Sequence, residues 1–249
     1  MSIGARINVT GLFNLLGKSK FFGSSGSEDA DKGCSQAKDP ERMRWLLGMC
    51  LTVDSNCIDV GAHEGIVLDE ILRVAPLGRH IAYEPIPHLA RALTDKYSSV
   101  DVRARALSNR CGTSQFFLVK TLPGYSGLRR RSYPSPQEVE ELTVEVEDLD
   151  SSIPPGYVPA FIKIDVEGAE KQVLEGAIAT ISKHKPLVFF EHGLGAADHY
   201  GTSPEDIFAL LCAEAGLRIF DLEGEGPYDL ARFESTFAAG RQWNFVAHR

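Results

Sequence analysis

The sequence predicts an α/β protein built around a mostly parallel β-sheet. Short apolar segments alternate with segments of helical period along most of the chain, as expected for such a sheet. The first apolar segment runs into a turn containing Gly61 and Gly65, which is typical of the carboxyl end of a strand in an open sheet. Four apolar segments end at a carboxylate, namely Asp59, Glu84, Asp165 and Glu191.

The chain begins with a polar segment and becomes periodic near residue 39. Residues 1–38 include a stretch rich in Gly and Ser, which buries too little apolar area to order itself. We therefore predict a flexible segment over 1–38 and one domain over 39–249. Asp39 and Pro40 predict the start of a helix that continues to Met49.

The first half of the domain is predicted to contain two strand–helix units and a third strand. The first strand ends at Asp59, and the helix after it shows an apolar face over 66–74. The second strand spans 80–84 and is followed by a helix over about 89–97. Residues 100–107 are predicted to form the third strand.

The next part is predicted to be a β-rich insertion or edge. Strands are expected over 113–119 and 142–146, and a loop of residues 120–137 joins them. Loops of this length are often functional lids or disordered. The run Arg129–Arg131 either clamps an anionic substrate or is a solvated basic surface on an acidic protein.

The second half returns to alternating strands and helices. A strand over 160–165 precedes a helix over 168–182. Residues 187–191 form an apolar run typical of a strand buried on both faces. The last predicted elements are a helix from Ser203 to Gly216 and strands over 217–222 and 243–247.

Composition excludes several classes of function. The formal net charge of −8 argues against nucleic acid as the main partner, because phosphate binding needs excess Lys and Arg. The five cysteines are odd in number and lack metal-ligand spacing, which favours free thiols in a reducing compartment. No apolar run approaches the roughly 20 residues that span a bilayer. We expect a cytoplasmic protein without stable membrane insertion.

Asp59 indicates which ligand the glycine turn would hold. A dinucleotide site holds a pyrophosphate at a helix N-terminus, and a carboxylate there would repel it. Asp59 instead suits a cationic ligand such as S-adenosylmethionine (SAM). Glu84 ends the next strand about 25 residues later, which places it to bind ribose hydroxyls. The alternative for Glu84 is a solvated carboxylate at a strand end.

Three segments resemble the FkbM family of class I SAM-dependent methyltransferases. They are residues 58–65, 83–87 and 161–170, and the last is the most specific because 162–170 reads Ile-Lys-Ile-Asp-Val-Glu-Gly-Ala-Glu. The resemblance covers about residues 53–192 and departs from the family at His63, where Asn is more common. It implies a Rossmann-like, doubly wound, seven-stranded sheet whose last strand is antiparallel. It also implies methyl transfer to an oxygen of a sugar or natural product.

The resemblance further implies that SAM lies over the first two strands. Asp59 and the glycine turn would face the methionine part, Glu84 the ribose, and residues 106–109 the adenine. The expected cofactor-binding residues are Asp59, Gly61, Ala62, His63, Glu64, Gly65, Glu84, Pro85, Ala106, Leu107 and Ser108.

The acceptor is expected to be a small molecule or glycan, and its hydroxyl must be activated before it can attack a methyl group. A sugar hydroxyl is a poor nucleophile near neutral pH, so a base or a metal is expected. The catalytic candidates are Asp165, Glu167, Glu191 and His192. Alternatively, His192 is structural and Glu167 caps a helix. Asp165 with Glu167 could hold a divalent cation, and Lys163 is expected to be an edge or salt-bridged lysine.

Two other functions stay open at this point. A nucleotide-dependent oxidoreductase is disfavoured by Asp59 and by the lack of a Gly-x-Gly-x-x-Gly motif. A catalytically silent SAM-binding or scaffold domain is disfavoured by the glycine turn and the acidic strand ends. It stays open because a fold by itself does not establish turnover.

Overall fold

A computed structural model of the protein describes residues 38–131, 133, 136–240 and 242–249. The predicted flexible segment therefore lies outside the described residues, except for Lys38. The strands are β1 (Asn56–Val60), β2 (His80–Tyr83), β3 (Val100–Arg103), β4 (Ala106–Leu107), β5 (Gly112–Val119), β6 (Val139–Glu147), β7 (Pro159–Ile164), β8 (Leu187–Glu191), β9 (Arg218–Asp221) and β10 (Asn244–His248).

Helices occupy most of the connections between these strands. They are α1 (Asp39–Cys50), α2 (Ile66–Val74), α3 (Pro87–Lys96), α4 (Leu149–Ser152), α5 (Glu170–Glu175), α6 (Ile178–His184), α7 (Pro204–Phe208) and α8 (Leu230–Ala239). Short 3-10 turns lie at Pro123–Tyr125 and Ala197–Tyr200, and a π-helical segment, Ala209–Glu214, continues α7.

The central sheet has seven strands in the order β3-β2-β1-β7-β8-β10-β9. Strand β10 runs antiparallel to both β8 and β9, and the other pairs are parallel. The predicted fold class, with its antiparallel last strand, is confirmed. The strand order reverses between β1 and β7, and ligands of open α/β sheets bind beyond the carboxyl ends at such a point.

Helices cover both faces of the sheet, as a doubly wound fold requires. On one face, α1, α2 and α3 bury Leu47, Leu68 and Leu93 against the strands. On the other face, α5 to α8 pack against the alternate strand residues. Strand β8 contributes Phe189 to the first face and Phe190 to the second, which agrees with its continuous apolar sequence. No helix within the described residues is long and apolar enough to cross a membrane.

The predicted third strand over 100–107 is two strands in the structure. Strand β3 ends at Arg103, where the carbonyl accepts the N–H of Glu84. The chain then leaves the central sheet, and β4 pairs parallel with β6 in a separate sheet of order β4-β6-β5. The β-rich insertion is therefore present, and its first strand comes from a segment whose apolar pattern looked continuous.

The helix predicted over 168–182 is also divided. Helix α5 begins at Glu170, and the chain breaks at Gly176 before α6. A Cβ on Gly176 would lie 2.0 Å from the carbonyl oxygen of Ser108, so the backbones approach closely there. The Asp150 carboxylate accepts the N–H groups of Ala179 and Thr180 and so begins α6.

Helix α8 was not predicted from the sequence. Its signals are present, because Asp229 accepts the N–H of Arg232 at the start and Gly240 ends the helix with φ +58°. This helix lies between β9 and β10 and buries Phe233.

Candidate functional site

A first cavity of 360 Å³ opens beyond the carboxyl ends of β1, β2 and β7. Its size falls within the usual range for small-molecule sites. The glycine turn after β1 forms its floor, and residues Pro123–Leu128, here called the roof segment, cover it. Among the predicted cofactor residues, those lining it are Gly61, Ala62, His63, Glu64, Glu84, Pro85, Ala106 and Leu107.

The glycine turn is held in a compact shape that side chains would prevent. Gly61 has φ +78°, and a Cβ there would lie 2.0 Å from the carbonyl oxygen of Asp165. Gly65 has φ +82°, and its Cβ would lie 2.6 Å from the hydroxyl of Tyr97. Both backbone angles are ones that L side chains rarely adopt. Gly65 itself shapes the turn without lining the cavity.

Glu84 connects the end of β2 to the glycine turn. Its side chain is buried, at 3% exposure, yet it lines the first cavity. One carboxylate oxygen accepts the N–H of His63 and the other accepts that of Ile86, both at 2.8 Å. Burial raises the pKa of Glu84, and these two N–H groups oppose the rise. Each oxygen keeps a second lone pair with which to bind a ligand hydroxyl.

Asp59 does not face the cavity, which corrects the expectation drawn from the sequence. Its side chain is fully buried, and one oxygen lies 3.3 Å from Nζ of Lys163. The Lys163 ammonium also lies 3.5 Å from Asp165 and donates to the carbonyl of Gly61 at 2.5 Å. Asp59 is thus paired with Lys163 inside the protein and not with a ligand. Because side chains alternate along a strand, that of Asp59 points toward the helices that cover the sheet.

Burial and mutual attraction set the protonation states of Asp59 and Lys163. Burial raises the pKa of Asp59, and the Lys163 ammonium opposes that rise. Burial acts to lower the pKa of Lys163, but Asp59 and Asp165 outweigh it and the pKa is raised. Lys163 therefore stays charged and lines the cavity. Because Asp59 is paired with Lys163, the carboxyl groups that face a ligand are instead those of Glu64, Glu84, Asp165 and Glu167.

Three of the predicted catalytic residues form an acidic cluster, here defined as Asp165, Glu167 and Glu191. One carboxylate oxygen from each residue lies within 4.8 Å of those of the other two. Asp165 and Glu167 line the first cavity, whereas Glu191 does not. Burial, followed by the charge of Asp165, raises the pKa of Glu167 to about 8 and that of Glu191 well above its usual range.

Glu167 does not cap the following helix. It has φ +61°, an unusual backbone angle for a residue with a side chain. The buried Glu170 carboxylate instead accepts the N–H groups of Val166 and Gly168 at 3.1 Å. Burial raises the pKa of Glu170 to about 7 despite these bonds. This leaves Glu167 free to face the cavity.

Arg131, three residues beyond the roof segment, ties the loop that carries this segment to the acidic cluster. Its side chain is 4% exposed, and it forms an ion pair of 2.6 Å with Glu167 and donates to the carbonyl of Gly195. The guanidinium lies 5.1 Å from the centre of the Tyr125 ring. Arg129 donates its backbone N–H to the hydroxyl of Tyr200. Arg131 is therefore neither a solvated residue nor an open anion clamp, and no sequence signal indicated its pairing with Glu167.

His192 and Ser108 lie away from the cavity lining. His192 is 1% exposed, and its ring stacks on Phe233 and Phe237 at centroid distances of 5.7 and 4.7 Å. Burial lowers its pKa to about 4. This position argues against His192 as a base and agrees with the structural alternative. Ser108 donates its N–H to Glu147 within the second sheet.

A second cavity of 500 Å³ adjoins the first and was not predicted from the sequence. The two cavities share Ile66, Val67, Lys163 and Asp165. Its other lining residues come from the first turns of α1, from Glu70 of α2, from Phe189 in β8 and from Asn244 at the start of β10. Helix α1 is positioned there because Asp39 accepts a hydrogen bond of 2.8 Å from the Asn244 side chain.

Comparison with known proteins places this chain in a family. The family model described as the methyltransferase FkbM domain matches residues 59–219, which include the glycine turn and all four acidic strand ends. No curated protein matches the chain.

Several solved structures are similar to this chain. Methyltransferase FkbM from Methylobacillus flagellatus KT is 18% identical with a TM-score of 0.48, and the match covers 80% of this chain and 44% of that one. This chain thus spans less than half the length of that protein. A SAM-dependent methyltransferase from Aquifex aeolicus is 12% identical with a TM-score of 0.42, covering 84% and 88%. The plantazolicin methyltransferase BpumL, in complex with SAH, is 11% identical with a TM-score of 0.44, covering 95% and 93%.

The family model matches more than half of the chain, and the glycine turn and the strands from β2 to β8 lie within the match. The protein therefore belongs to the FkbM methyltransferase family.

Proposed function

We propose that the protein transfers the methyl group of SAM to a hydroxyl oxygen of a saccharide or natural-product acceptor. The observation that carries this proposal is the presence of Asp165 and Glu167 in the same cavity as the glycine turn and Glu84. One cavity thus combines groups suited to a cationic nucleoside with carboxylates suited to accept a proton.

The first cavity has the features that SAM requires. The turn from Gly61 to Gly65 allows close backbone approach, and Glu84 offers carboxylate lone pairs for ribose hydroxyls. Ile86, Leu107 and Phe116 provide an apolar wall for a flat base. When bound, SAM supplies a methyl group carried on a positively charged sulfur. The neighbouring carboxylates offset that charge.

Asp165 and Glu167 are the proposed proton acceptors. Bound SAM would supply the methyl group and leave as SAH, and Asp165 or Glu167 would take the proton that the acceptor hydroxyl loses. A base works best when its pKa lies near the working pH, and the pKa of Glu167 is raised to about 8. Arg131 orients this carboxylate through the 2.6 Å ion pair.

A divalent cation is an alternative way to activate the hydroxyl. The acidic cluster places three carboxylate oxygens within 4.8 Å, and oxygen ligands suit Mg²⁺ or Ca²⁺. A cation there would lower the pKa of a bound hydroxyl. Turnover in EDTA distinguishes the two proposals, because only the cation-dependent reaction stops.

Isothermal titration with SAM tests the cofactor site, with NAD and NADP as controls. We expect heat with SAM alone. Glu84→Gln should weaken SAM binding about tenfold or more, because it removes a charged acceptor from the ribose side. The matched control, Glu214→Gln, changes an exposed carboxylate away from both cavities and should bind SAM normally. Heat with NAD, or unchanged affinity in Glu84→Gln, would contradict the assignment.

Turnover is tested by release of SAH with a panel of hydroxylated acceptors. Asp165→Asn and Glu167→Gln should lower the rate of methyl transfer while SAM still binds, since neither residue supplies the turn backbone. SAM binding without SAH release across a broad panel would instead favour a silent SAM-binding domain.

A further inference from the structure

We propose that the second cavity binds the methyl acceptor and selects hydroxyl compounds that carry a protonated amine over those that carry a phosphate or carboxylate. This inference rests on the proposed function, because it assigns the acceptor of the same reaction. It goes beyond that function by naming the class of acceptor.

The position of the second cavity suits an acceptor. It meets the first cavity at Lys163 and Asp165, so a molecule within it lies beside Asp165 of the acidic cluster. Its volume of 500 Å³ is large enough for a sugar or a similar ring compound. The walls provided by Met43, Val67 and Phe189 offer an apolar surface for the body of such a ring.

The charge of the second cavity decides the class of acceptor. Four carboxylates line it, from Asp39, Glu41, Glu70 and Asp165, against two cations, Arg44 and Lys163. Both cations are already paired with carboxylates. Arg44 donates to Glu70 at 2.8 Å, and Lys163 lies 3.3 Å from Asp59. Two cations outside the lining also pair with its carboxylates, because Arg42 lies 3.1 Å from Asp39 and Arg73 lies 2.7 Å from Glu70. With Asp59 counted, five carboxylates therefore stand against four cations, and a negative balance of one charge remains.

Two neighbouring features leave this negative balance in place. Glu167 and Glu191 lie within 4.8 Å of Asp165 at the junction of the cavities, and their raised pKa values keep them largely protonated near neutral pH, so they offer hydrogen bonds and add no positive charge. The N-terminus of α1 contributes roughly half a positive charge, which is less than the charge of Asp39 and Glu41 in its own first turn. A phosphate entering the cavity would meet like charges, whereas an ammonium group would find carboxylate partners.

Three sugars that differ only at carbon 6 test the proposal. They are 6-amino-6-deoxyglucose, glucose and glucose 6-phosphate, and each is titrated into the SAH-loaded protein with binding followed by saturation-transfer NMR. We expect the amino sugar to bind about tenfold more tightly than the phosphate sugar at low ionic strength. High salt should reduce this difference, because screening weakens charge interactions.

Two variants locate the binding. Met43→Trp fills the second cavity from α1 without touching the first and should abolish amino-sugar binding while SAH still binds. Val53→Trp places the same side chain at an exposed position away from both cavities and should bind normally. Glu41→Gln should narrow the preference for the amino sugar, whereas Glu214→Gln should leave it unchanged.

The outcomes separate this inference from the proposed function. Equal or tighter binding of glucose 6-phosphate, binding of none of the three sugars, or full binding in Met43→Trp would each overturn the inference while SAM binding stands. Failure of the wild-type protein to bind SAM or SAH would instead overturn the proposed function itself.

Discussion

Replacing Lys163 with methionine should destabilise the protein, because it leaves Asp59 buried without its counter-charge. Methionine is close to lysine in length, so the change removes the ammonium group with little loss of packing. Two other contacts of the ammonium are lost as well, the hydrogen bond to the carbonyl of Gly61 and the approach to Asp165.

The distance between the two charges sets the size of the effect. At 3.3 Å and an effective dielectric constant of about 20, the attraction between Lys163 and Asp59 is about 5 kcal/mol. Removing one partner of a buried pair typically costs about 3–5 kcal/mol. Asp59 can relieve part of this cost by binding a proton, so we expect a loss of about 3 kcal/mol near pH 8. For a chain of this size that corresponds to roughly 6–12 °C in melting temperature.

The loss should depend on pH in a definite direction. Burial already raises the pKa of Asp59, and without Lys163 it rises further above its unfolded value of about 4. Ionising the buried carboxyl then costs stability, and the cost grows as pH increases above the unfolded value. Below about pH 4 the carboxyl is neutral in both states, and the variant should approach the wild type.

Guanidinium unfolding from pH 4 to 8 measures these values in a double-mutant cycle. Asp59→Asn combined with Lys163→Met should recover at least half of the loss, because a neutral amide replaces the unpaired charge. Unchanged stability of Lys163→Met at pH 8 would refute the reasoning. So would a loss that is the same at every pH.

Three further predictions concern the turn, the roof segment and the buried histidine. Gly61→Ala should weaken SAM binding and lower stability by more than Gly156→Ala does. Both glycines have positive φ, but only at Gly61 would a Cβ collide with backbone atoms. Equal effects of the two substitutions in denaturation and SAM titration would contradict this. Arg131→Gln should speed SAH dissociation about tenfold in stopped-flow measurements, because the ion pair that holds the roof segment is lost, whereas a wild-type rate would mean that the roof segment stays closed without it. Because the folded protein keeps His192 neutral, the wild type should lose about 3 kcal/mol of stability as pH falls from about 6.5 to about 4. His192→Phe should remove this loss and keep methyl transfer. Loss of turnover with SAM binding intact would restore His192 as a catalytic candidate.

Local sequence patterns predicted the parts of this protein that depend on nearby residues. The alternation of apolar strands and amphipathic helices gave the fold class, since both periods are visible within ten residues. The glycine turn after Asp59 and the carboxylates at strand ends were recognised for the same reason. The motif over 162–170 indicated the family that the family model then matched.

Contacts between distant residues decided the rest. Lys163 reaches Gly61 across 102 positions of sequence, and Arg131 reaches Glu167 across 36. The hydrophobic periodicity of a segment does not show which strands become neighbours or which face of a helix lines a cavity. The burial of Asp59 was therefore visible only in the tertiary structure.

The sequence by itself determined that carboxylates and glycines would gather at one edge of a parallel sheet, because strand ends and turns are local features. Only the tertiary structure decided which carboxylates face the cavity. Packing between β1 and β7 hid Asp59 behind Lys163, and Arg131 brought the roof segment to Glu167. Packing against Phe233 and Phe237 removed His192 from the site, and α1 opened a second cavity beside Asp165.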